Sequence, residues 1–432
     1  MLFKLYSVFR IPYSVRRYLF SGARFTVYGT VSSLLVLFLL LLTACVDPAL
    51  ECTDPLGCVE IRPDDPLLVA ALLDQSGRAA ALSAEVQNGL LMALADRDNE
   101  LLGHRLELVP FDGGCQESGG AASAREILAD GRIAGVLGTV CSESAAAAIP
   151  LLAERGMVMV SPANTAPRLT ETAVSPTFFR VAYNNRLQAD LMAEFAFTTL
   201  GARTAAIIRD TTAYSIDLAA TFTDHFTTAG GVILYEGVLS PGQVDIAEKL
   251  DLLLRTAPDV VYMPLFEPEA AYFVVQVHEQ ETLTEVPLLG TDTLLLESFA
   301  RSIGTGADST YLSAAAVSST AYDLFLQRWA DRYGVLPTTP FAAYAYDAAN
   351  LLLDQITAVA QLSNDNSLLI GRQALLDAVA GTQNYEALTG TLTCQENGDC
   401  AARSSLAVLQ LVDWESEESG WPPAVVWHAT TP

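Results

Sequence analysis

The chain has 432 residues, of which 51% are hydrophobic and 17% are charged, so it is long enough for more than one domain and is not a disordered polymer. Fifty acidic residues against 24 basic ones give a net charge of −26. Such a charge repels nucleic acid and anionic lipid, and we therefore expect no nucleic-acid partner.

The amino-terminal segment differs from the rest of the chain. Residues 1–44 contain basic but no acidic side chains, and an apolar run from Leu34 to Leu42 lies near their end. A basic start followed by a short apolar run and small residues is typical of an export signal, so we predict a signal peptide over residues 1–44.

Cys45 follows this segment directly. The Leu-Thr-Ala-Cys sequence that ends at Cys45 looks like a bacterial lipobox, which predicts that Cys45 is lipidated and that residues 45–65 form a tether. The alternative is one membrane-spanning anchor, although the apolar run is shorter than the roughly 20 residues that a span needs. Both alternatives place the acidic part outside the cytoplasm and attach it to a membrane.

Six further cysteines agree with export, because an even number outside the cytoplasm indicates disulfides. In two pairs the cysteines are six residues apart with turn residues between them, so each pair can close a local loop. The remaining two cysteines, Cys115 and Cys141, would then form the third disulfide. A metal site is the alternative, but the sequence has no Cys-x-x-Cys and no His near a Cys, so we expect no metal. The two local pairs are Cys52 with Cys58 and Cys394 with Cys400.

From Leu67 onward, short apolar runs alternate with helical patterns, which predicts parallel sheets with helices on both faces. The predicted strands are Leu67–Leu72, Leu106–Phe111, Ile133–Leu137, Met157–Val160, Thr204–Ile208, Val232–Tyr235, Val260–Met263, Val286–Leu289, Ser405–Val412 and Ala424–Trp427. The predicted helices cover 83–98, 120–130, 143–155, 185–199, 215–229, 245–256, 268–280, 320–333, 341–360 and 371–380.

The alternation falls into two sets and predicts two α/β lobes with several crossings between them. The first set ends near Pro162 and the second near Asp292. We assign residues 66–183 and 314–387 to lobe 1, and residues 184–313 and 388–428 to lobe 2.

Ligands of open parallel sheets bind at the carboxyl ends of strands, so the strand-to-helix junctions are the candidate site. Ser142 lies at a predicted helix start that favours an anion such as a ligand carboxylate; the alternative, which is commoner for a single serine at such a position, is that Ser142 only caps its helix. Thr165 adds a hydroxyl in a loop bounded by prolines. Tyr214 either covers a ligand or packs against the core. Asp292 either binds an ammonium group or caps the next helix.

Catalytic interpretations have less support. The sequence contains no Gly-x-Ser-x-Gly, Walker A, Gly-x-Gly-x-x-Gly or His-Glu-x-x-His motif, and nothing joins a nucleophile to a base. We therefore expect neither an enzyme nor a bound cofactor.

These residues resemble the type I periplasmic solute-binding proteins of the leucine/isoleucine/valine-binding family. The resemblance covers about Leu67 to Leu296 and is weaker beyond. It is carried by Phe-Asp-Gly-Gly-Cys ending at Cys115, Val-Leu-Gly-Thr-Val-Cys-Ser ending at Ser142, Ser-Pro-Ala-Asn-Thr-Ala-Pro ending at Pro167, Ala-Tyr-Ser around Tyr214 and Leu-Gly-Thr-Asp ending at Asp292.

The resemblance implies two Rossmann-like lobes with parallel central sheets joined by a multi-strand hinge, and a Cys115–Cys141 disulfide. It implies that a ligand α-carboxylate binds Ser142, Ala163 and Thr165 of the first lobe. Asp292 would bind the α-ammonium group.

Further positions follow from the same resemblance. It implies that Tyr214 covers the ligand and, more loosely, that Phe266 is a pocket aromatic. Two departures stand out: Asn164 adds a polar group beside the carboxylate site, and Arg78 can change which side chain fits or admit a ligand with a second acid.

The implied function is capture of a small molecule, with an amino acid expected, for an ABC permease in the membrane. The alternative is a sensor of the same fold that serves a separate signalling partner.

Overall fold

The computed structural model describes residues 50–76, 79–171, 176–240, 242–401, 405–412 and 423–428. The predicted signal peptide, Cys45 and Arg78 lie outside these ranges. Within them, no helix combines the length and the apolar character that crossing a membrane requires.

Eighteen strands, β1 to β18, occur in the described residues, and their bounds follow in chain order. They are Cys58–Ile61, Leu67–Leu73, Glu100–Leu101, His104–Asp112, Ile133–Gly138, Met159–Ser161, Phe178–Arg180, Thr204–Arg209, Val232–Val238, Val260–Tyr262, Leu288–Thr291, Thr310–Ala315, Gln361–Leu362, Leu368–Gly371, Tyr385–Ala387, Gly390–Leu392, Leu406–Gln410 and Ala424–His428.

Twelve α-helices, α1 to α12, connect them in the same part of the chain. They are Ala80–Ala95, Glu117–Ala129, Ser142–Ala153, Arg168–Glu171, Asn185–Glu194, Ala213–Thr228, Ala247–Thr256, Glu269–His278, Glu297–Ile303, Thr320–Tyr333, Phe341–Val359 and Arg372–Ala380.

Two sheets carry the architecture. The six-stranded sheet has the order β3-β4-β2-β5-β6-β7, and all its strands except β3 are parallel to their neighbours. Every residue of the central strand β2 is buried, which is expected where helices cover both faces of a parallel sheet.

The seven-stranded sheet has the order β18-β17-β12-β11-β10-β8-β9. Its first five strands in sequence are parallel, whereas β17 and β18 pair antiparallel at one side. The chain therefore returns to this sheet after helices α10, α11 and α12. Because of this return, more than one segment of the chain connects the two lobes.

Helices α1 and α11 approach each other at Gly89. A Cβ atom at Gly89 would lie 2.2 Å from the carbonyl oxygen of Ala342 and 3.0 Å from the Cβ of Ala345. Only glycine permits this close approach of the two helices.

The structure differs from the sequence predictions in several elements. Residues 54–61 are folded rather than part of a tether: β1 pairs antiparallel with β14, and the Asp54 carboxylate accepts hydrogen bonds from the Gln373 and Ala374 amides at the start of α12. Strand β12 was not predicted, although it is central in the second sheet. The helix predicted over 185–199 is α-helical only to Glu194 and continues as a π-helix.

Candidate functional site

A cavity of about 800 Å³ lies where the carboxyl ends of strands from both sheets face each other. Six of the seven predicted ligand-binding residues line it. They are Ser142, Ala163, Thr165, Tyr214, Phe266 and Asp292.

The first wall is formed by the amino-terminal end of α3. Cys141 is its N-cap residue and no side chain caps it, so Ser142 is not the helix cap. The Ser142 hydroxyl oxygen instead accepts from the Ala166 amide at 3.4 Å. The first N–H groups of a helix have no partner within the helix, and the positive end of its dipole favours an anion, so this wall suits a carboxylate.

The loop after β6 brings Ala163 and Thr165 to the same wall, but it turns Asn164 away. Asn164 is fully buried, and its side-chain amide bonds the hydroxyls of Thr139 and Ser161 at 3.0 and 2.9 Å. The expectation that Asn164 adds a polar group to the ligand site is therefore wrong. Its amide is already used inside the loop.

The opposite wall is centred on Asp292, which begins a short 3-10 turn after β11. Its carboxylate accepts hydrogen bonds from the hydroxyls of Tyr183 and Tyr214 at 2.7 and 2.8 Å, and from Gln188 Nε2 at 2.7 Å. The N-cap residue of the turn is Thr291, so Asp292 is not a cap. Three uncharged donors hold this carboxylate in place at the cavity surface.

The contacts with Asp292 also determine the protonation state of the Tyr183 and Tyr214 hydroxyls. Burial and the negative charge of Asp292 raise the pKa of Tyr183 and of Tyr214 well above 10. Both hydroxyls therefore stay protonated and keep donating to Asp292 at any physiological pH.

Aromatic rings complete the pocket. Tyr214 and Phe266 have ring centroids 5.4 Å apart, and Phe266 is 38% exposed at the cavity surface. Phe341, at the start of α11, lines the cavity from lobe 1 and was not predicted. Its sequence position, more than 170 residues after Thr165, gives no local signal that it belongs to the site.

Asp74 is a second important residue that the sequence analysis missed. It is fully buried at the carboxyl end of β2, where its carboxylate accepts from the backbone N–H groups of Cys115, Val140 and Cys141 and from the Ser144 hydroxyl, at 2.6 to 3.0 Å. Asp74 thus fixes the loops that carry the first wall. An acid directly after a buried strand was the available signal.

The described residues contain all three predicted disulfides. The Cys115–Cys141 bridge ties the loop after β4 to the start of α3, and the other two close six-residue loops. Among the described residues, the ligand atoms of Cys115, Cys141 and Glu143 are the group close enough to suggest a metal. Both cysteines are disulfide-bonded, so they supply no thiolate and the group does not fit a metal ion.

A second cavity, of about 380 Å³, lies by Asn184, Asp190, His225 and Asp399. It is smaller and lacks residues from the helix α3 wall. The larger cavity is therefore the candidate binding site.

Two α/β lobes that share a cavity at their strand ends define a type I periplasmic binding protein, a solute-binding fold. A sequence model of the periplasmic binding protein family matches residues 66–416, and the chain belongs to that family.

Two related proteins are similar to this chain over most of their length. The Leu/Ile/Val-binding protein BraC3 of Rhizobium johnstonii is 25% identical over 353 residues, which cover 81% of this chain and 92% of the relative. The Leu/Ile/Val-binding protein homolog 3 of Brucella melitensis is 27% identical, covering 78% of this chain and 86% of the relative.

Solved structures show the same fold. A leucine-binding protein from Thermotoga maritima has a TM-score of 0.67 and 24% identity, and covers 80% of this chain and 96% of its own. An ABC-transporter solute-binding protein from R. palustris, solved in complex with benzoate, has a TM-score of 0.66 and 19% identity, and covers 84% and 96%. These likenesses establish the fold and leave the ligand open.

Proposed function

We propose that this protein is an exported lipoprotein that captures an amino acid in the cavity between its lobes and delivers it to an ABC permease. One observation carries the proposal: Ser142 and the α3 terminus face the cavity from one side, and the Asp292 carboxylate faces it from the other. A zwitterion has the matching pair of charges.

The geometry favours an amino acid over an aromatic acid such as benzoate. A benzoate carboxylate would satisfy the first wall, but it would bring no donor to Asp292. Asp292 already accepts three hydrogen bonds from uncharged groups, but with benzoate its negative charge would have no counter-charge in the closed site, and an uncompensated buried charge costs several kcal/mol. Ligand binding by lobe closure would then move Tyr214 and Asp292 onto the ammonium group.

The test is a thermal-shift screen of the mature chain, from residue 45 onward, against the common amino acids, their amides and a set of benzoates. A ligand that binds only the folded state at 100 times its Kd stabilises it by about 2.7 kcal/mol, which raises the melting temperature. Stabilisation by at least one amino acid, followed by titration calorimetry, is the expected result. Stabilisation by benzoates alone would contradict the proposal.

Membrane attachment is tested separately. The full chain expressed in a bacterium should label with a radioactive fatty acid and sediment with membranes, and Cys45→Ala should remove both properties. A Cys45→Ala protein that still sediments with membranes would favour a spanning anchor instead.

A further inference from the structure

A fully buried arginine lies behind the loop that brings Thr165 to the first wall. Arg180, the last residue of β7, is 0% exposed, and the described lining of the cavity does not include it. Its Nη1 atom donates to the carbonyl oxygens of Asn164 and Ala166, at 3.2 and 2.8 Å. One guanidinium therefore holds the loop on both sides of Thr165, which lines the cavity.

The carbonyl oxygens of this loop bear on what an anion would meet. The oxygen between the two, that of Thr165, accepts from the backbone N–H of Asn185 at 2.9 Å. Donors of the protein thus engage three consecutive carbonyl oxygens of the loop, and Arg180 engages two of them. A carbonyl oxygen is the negative end of its dipole and repels a carboxylate, so a carboxylate site requires that such oxygens be held elsewhere.

Two further contacts hold the guanidinium itself. Arg180 Nη2 donates to the Thr170 hydroxyl at 2.6 Å, and Nε donates to Asp399 Oδ1 at 2.5 Å. The Asp399 side chain is 15% exposed, and its other oxygen accepts from Asn184 Nδ2 at 2.8 Å. Because a buried charge without a partner is costly, Asp399 is the counter-ion that permits a guanidinium behind the wall.

Asp399 belongs to the loop that the Cys394–Cys400 disulfide closes. This loop packs on β7, where the Arg180 amide donates to the Gly398 carbonyl oxygen at 3.0 Å. Gly398 has a φ of 93°, and a Cβ atom there would lie 2.1 Å from the Phe178 carbonyl oxygen, so only glycine lets the loop come this close. A residue 219 positions later in the chain therefore fixes the Arg180 side chain.

We infer that Arg180 is a positioning residue of the carboxylate wall and that Asp399 keeps it in place. The guanidinium holds the carbonyl oxygens of Asn164 and Ala166, so that the loop offers a carboxylate the Thr165 hydroxyl and not these oxygens. This inference rests on the proposed function for the ligand carboxylate. A purely structural arginine would affect all ligands alike, whereas this role affects those that carry a carboxylate.

The test is titration calorimetry of the mature chain with ligands that differ by one group. L-leucine, L-leucinamide and 4-methylpentanoate share a side chain, but the amide lacks the carboxylate and the acid lacks the ammonium group. L-phenylalanine, L-phenylalaninamide and 3-phenylpropanoate form a second set, and benzoate is included. Any other amino acid that the thermal-shift screen selects is tested with its amide and its desamino acid. Weak ligands are measured by displacement of a tighter one.

Two variants disturb the positioning without removing a charge. Arg180→Lys keeps the positive charge opposite Asp399 but replaces the planar fork by one ammonium group. Affinity for the ligands with a carboxylate should fall by at least about tenfold, and affinity for the amides by less than about threefold. Asp399→Glu keeps the charge pair but displaces the guanidinium, and should weaken the same ligands by about three- to tenfold. It decides the question if Arg180→Lys shows no cooperative unfolding in urea.

Arg203→Lys is the matched control. Arg203 Nη1 also donates to two backbone carbonyl oxygens, those of Phe197 and Ala202, at 3.0 and 2.8 Å. Arg203 is exposed and lies outside the described cavity lining, so this variant should bind every ligand with wild-type affinity.

The outcomes separate this inference from the proposed function. Equal losses for acids and amides, or wild-type affinity for the acids, would overturn the inference, while amino-acid binding by the wild-type protein would leave the proposed function standing. Benzoate as the sole ligand would overturn the proposed function, yet weaker benzoate binding by Arg180→Lys would still support the inference. A wild-type protein that binds none of the carboxylates would overturn both.

Discussion

Asp292 is the residue on which the binding geometry depends most, and two substitutions separate its structural from its binding role. Asp292→Ala removes the acceptor of Tyr183, Gln188 and Tyr214. Tyr183 and Gln188 are buried, so their donors would have no water to replace the carboxylate. Each hydrogen bond to a charged group contributes about 1.5–3 kcal/mol to stability. Because relaxation of the surrounding side chains recovers part of this loss, we expect the Asp292→Ala variant to be less stable by about 2–5 kcal/mol.

Asp292→Asn keeps the shape and one acceptor oxygen, so we expect it to lose only about 1–2 kcal/mol of stability. It nevertheless removes the charge that faces the ligand. Removing one partner of a buried charge pair costs about 2–5 kcal/mol of binding free energy. A loss at the lower end of this range, about 2 kcal/mol, corresponds to a roughly 30-fold weaker affinity for the ligand.

The assay combines urea denaturation of each ligand-free variant with calorimetric titration of the best amino acid from the screen. Asp224→Asn, an exposed acid on α6, is the matched control and should change neither quantity. An Asp292→Asn protein that folds and binds the amino acid with wild-type affinity would refute the assignment of the ammonium site.

Three further predictions concern stability, each measured by denaturation. Gly89→Ala should destabilise by about 2–3 kcal/mol, because the new Cβ meets a backbone carbonyl that it must displace, whereas Gly131→Ala, in open space, should be close to neutral. The Cys115→Ala/Cys141→Ala double variant should lose roughly 3 kcal/mol, and an unchanged midpoint would show that the 26-residue loop needs no bridge. Burial raises the pKa of Asp347 to about 6 from 3.8. The protonated carboxyl therefore contributes its full share to the free energy of unfolding below about pH 4, and about 3 kcal/mol of that stability is lost as the pH rises through 6. The stability deficit of Asp347→Asn should therefore shrink from pH 4 to pH 7, and a constant deficit would contradict the raised pKa.

Part of the candidate site follows from sequence order alone. In a parallel sheet the residues after each strand lie at the same edge, so Ser142, Thr165 and Asp292 could be placed near a ligand before any contact was known. Sequence order does not predict, however, which of these side chains point into the cavity. Thr165 lines the cavity and its neighbour Asn164 does not, because the hydroxyls of Thr139 and Ser161 already hold the Asn164 amide.

Two of the strands that the sequence did not predict, β1 and β12, were missed for different reasons. The tether prediction failed at β1 because its partner β14 lies about 300 residues later, and the short apolar pattern of residues 58–61 gives no sign of it. Strand β12 was missed because its sequence Thr-Tyr-Leu-Ser-Ala-Ala lacks a continuous apolar run, although it lies between β11 and β17.

The sequence by itself determined the alternation of strands and helices, the disulfide pairs and most of the strand-end residues of the site, because apolar periodicity and local loop closure are properties of neighbouring residues. Only the tertiary structure decided that Tyr183, Gln188 and Tyr214 converge on Asp292 and that Phe341 closes the pocket. Those arrangements depend on contacts between segments that are far apart in the chain, and such contacts leave no pattern in any short stretch of sequence.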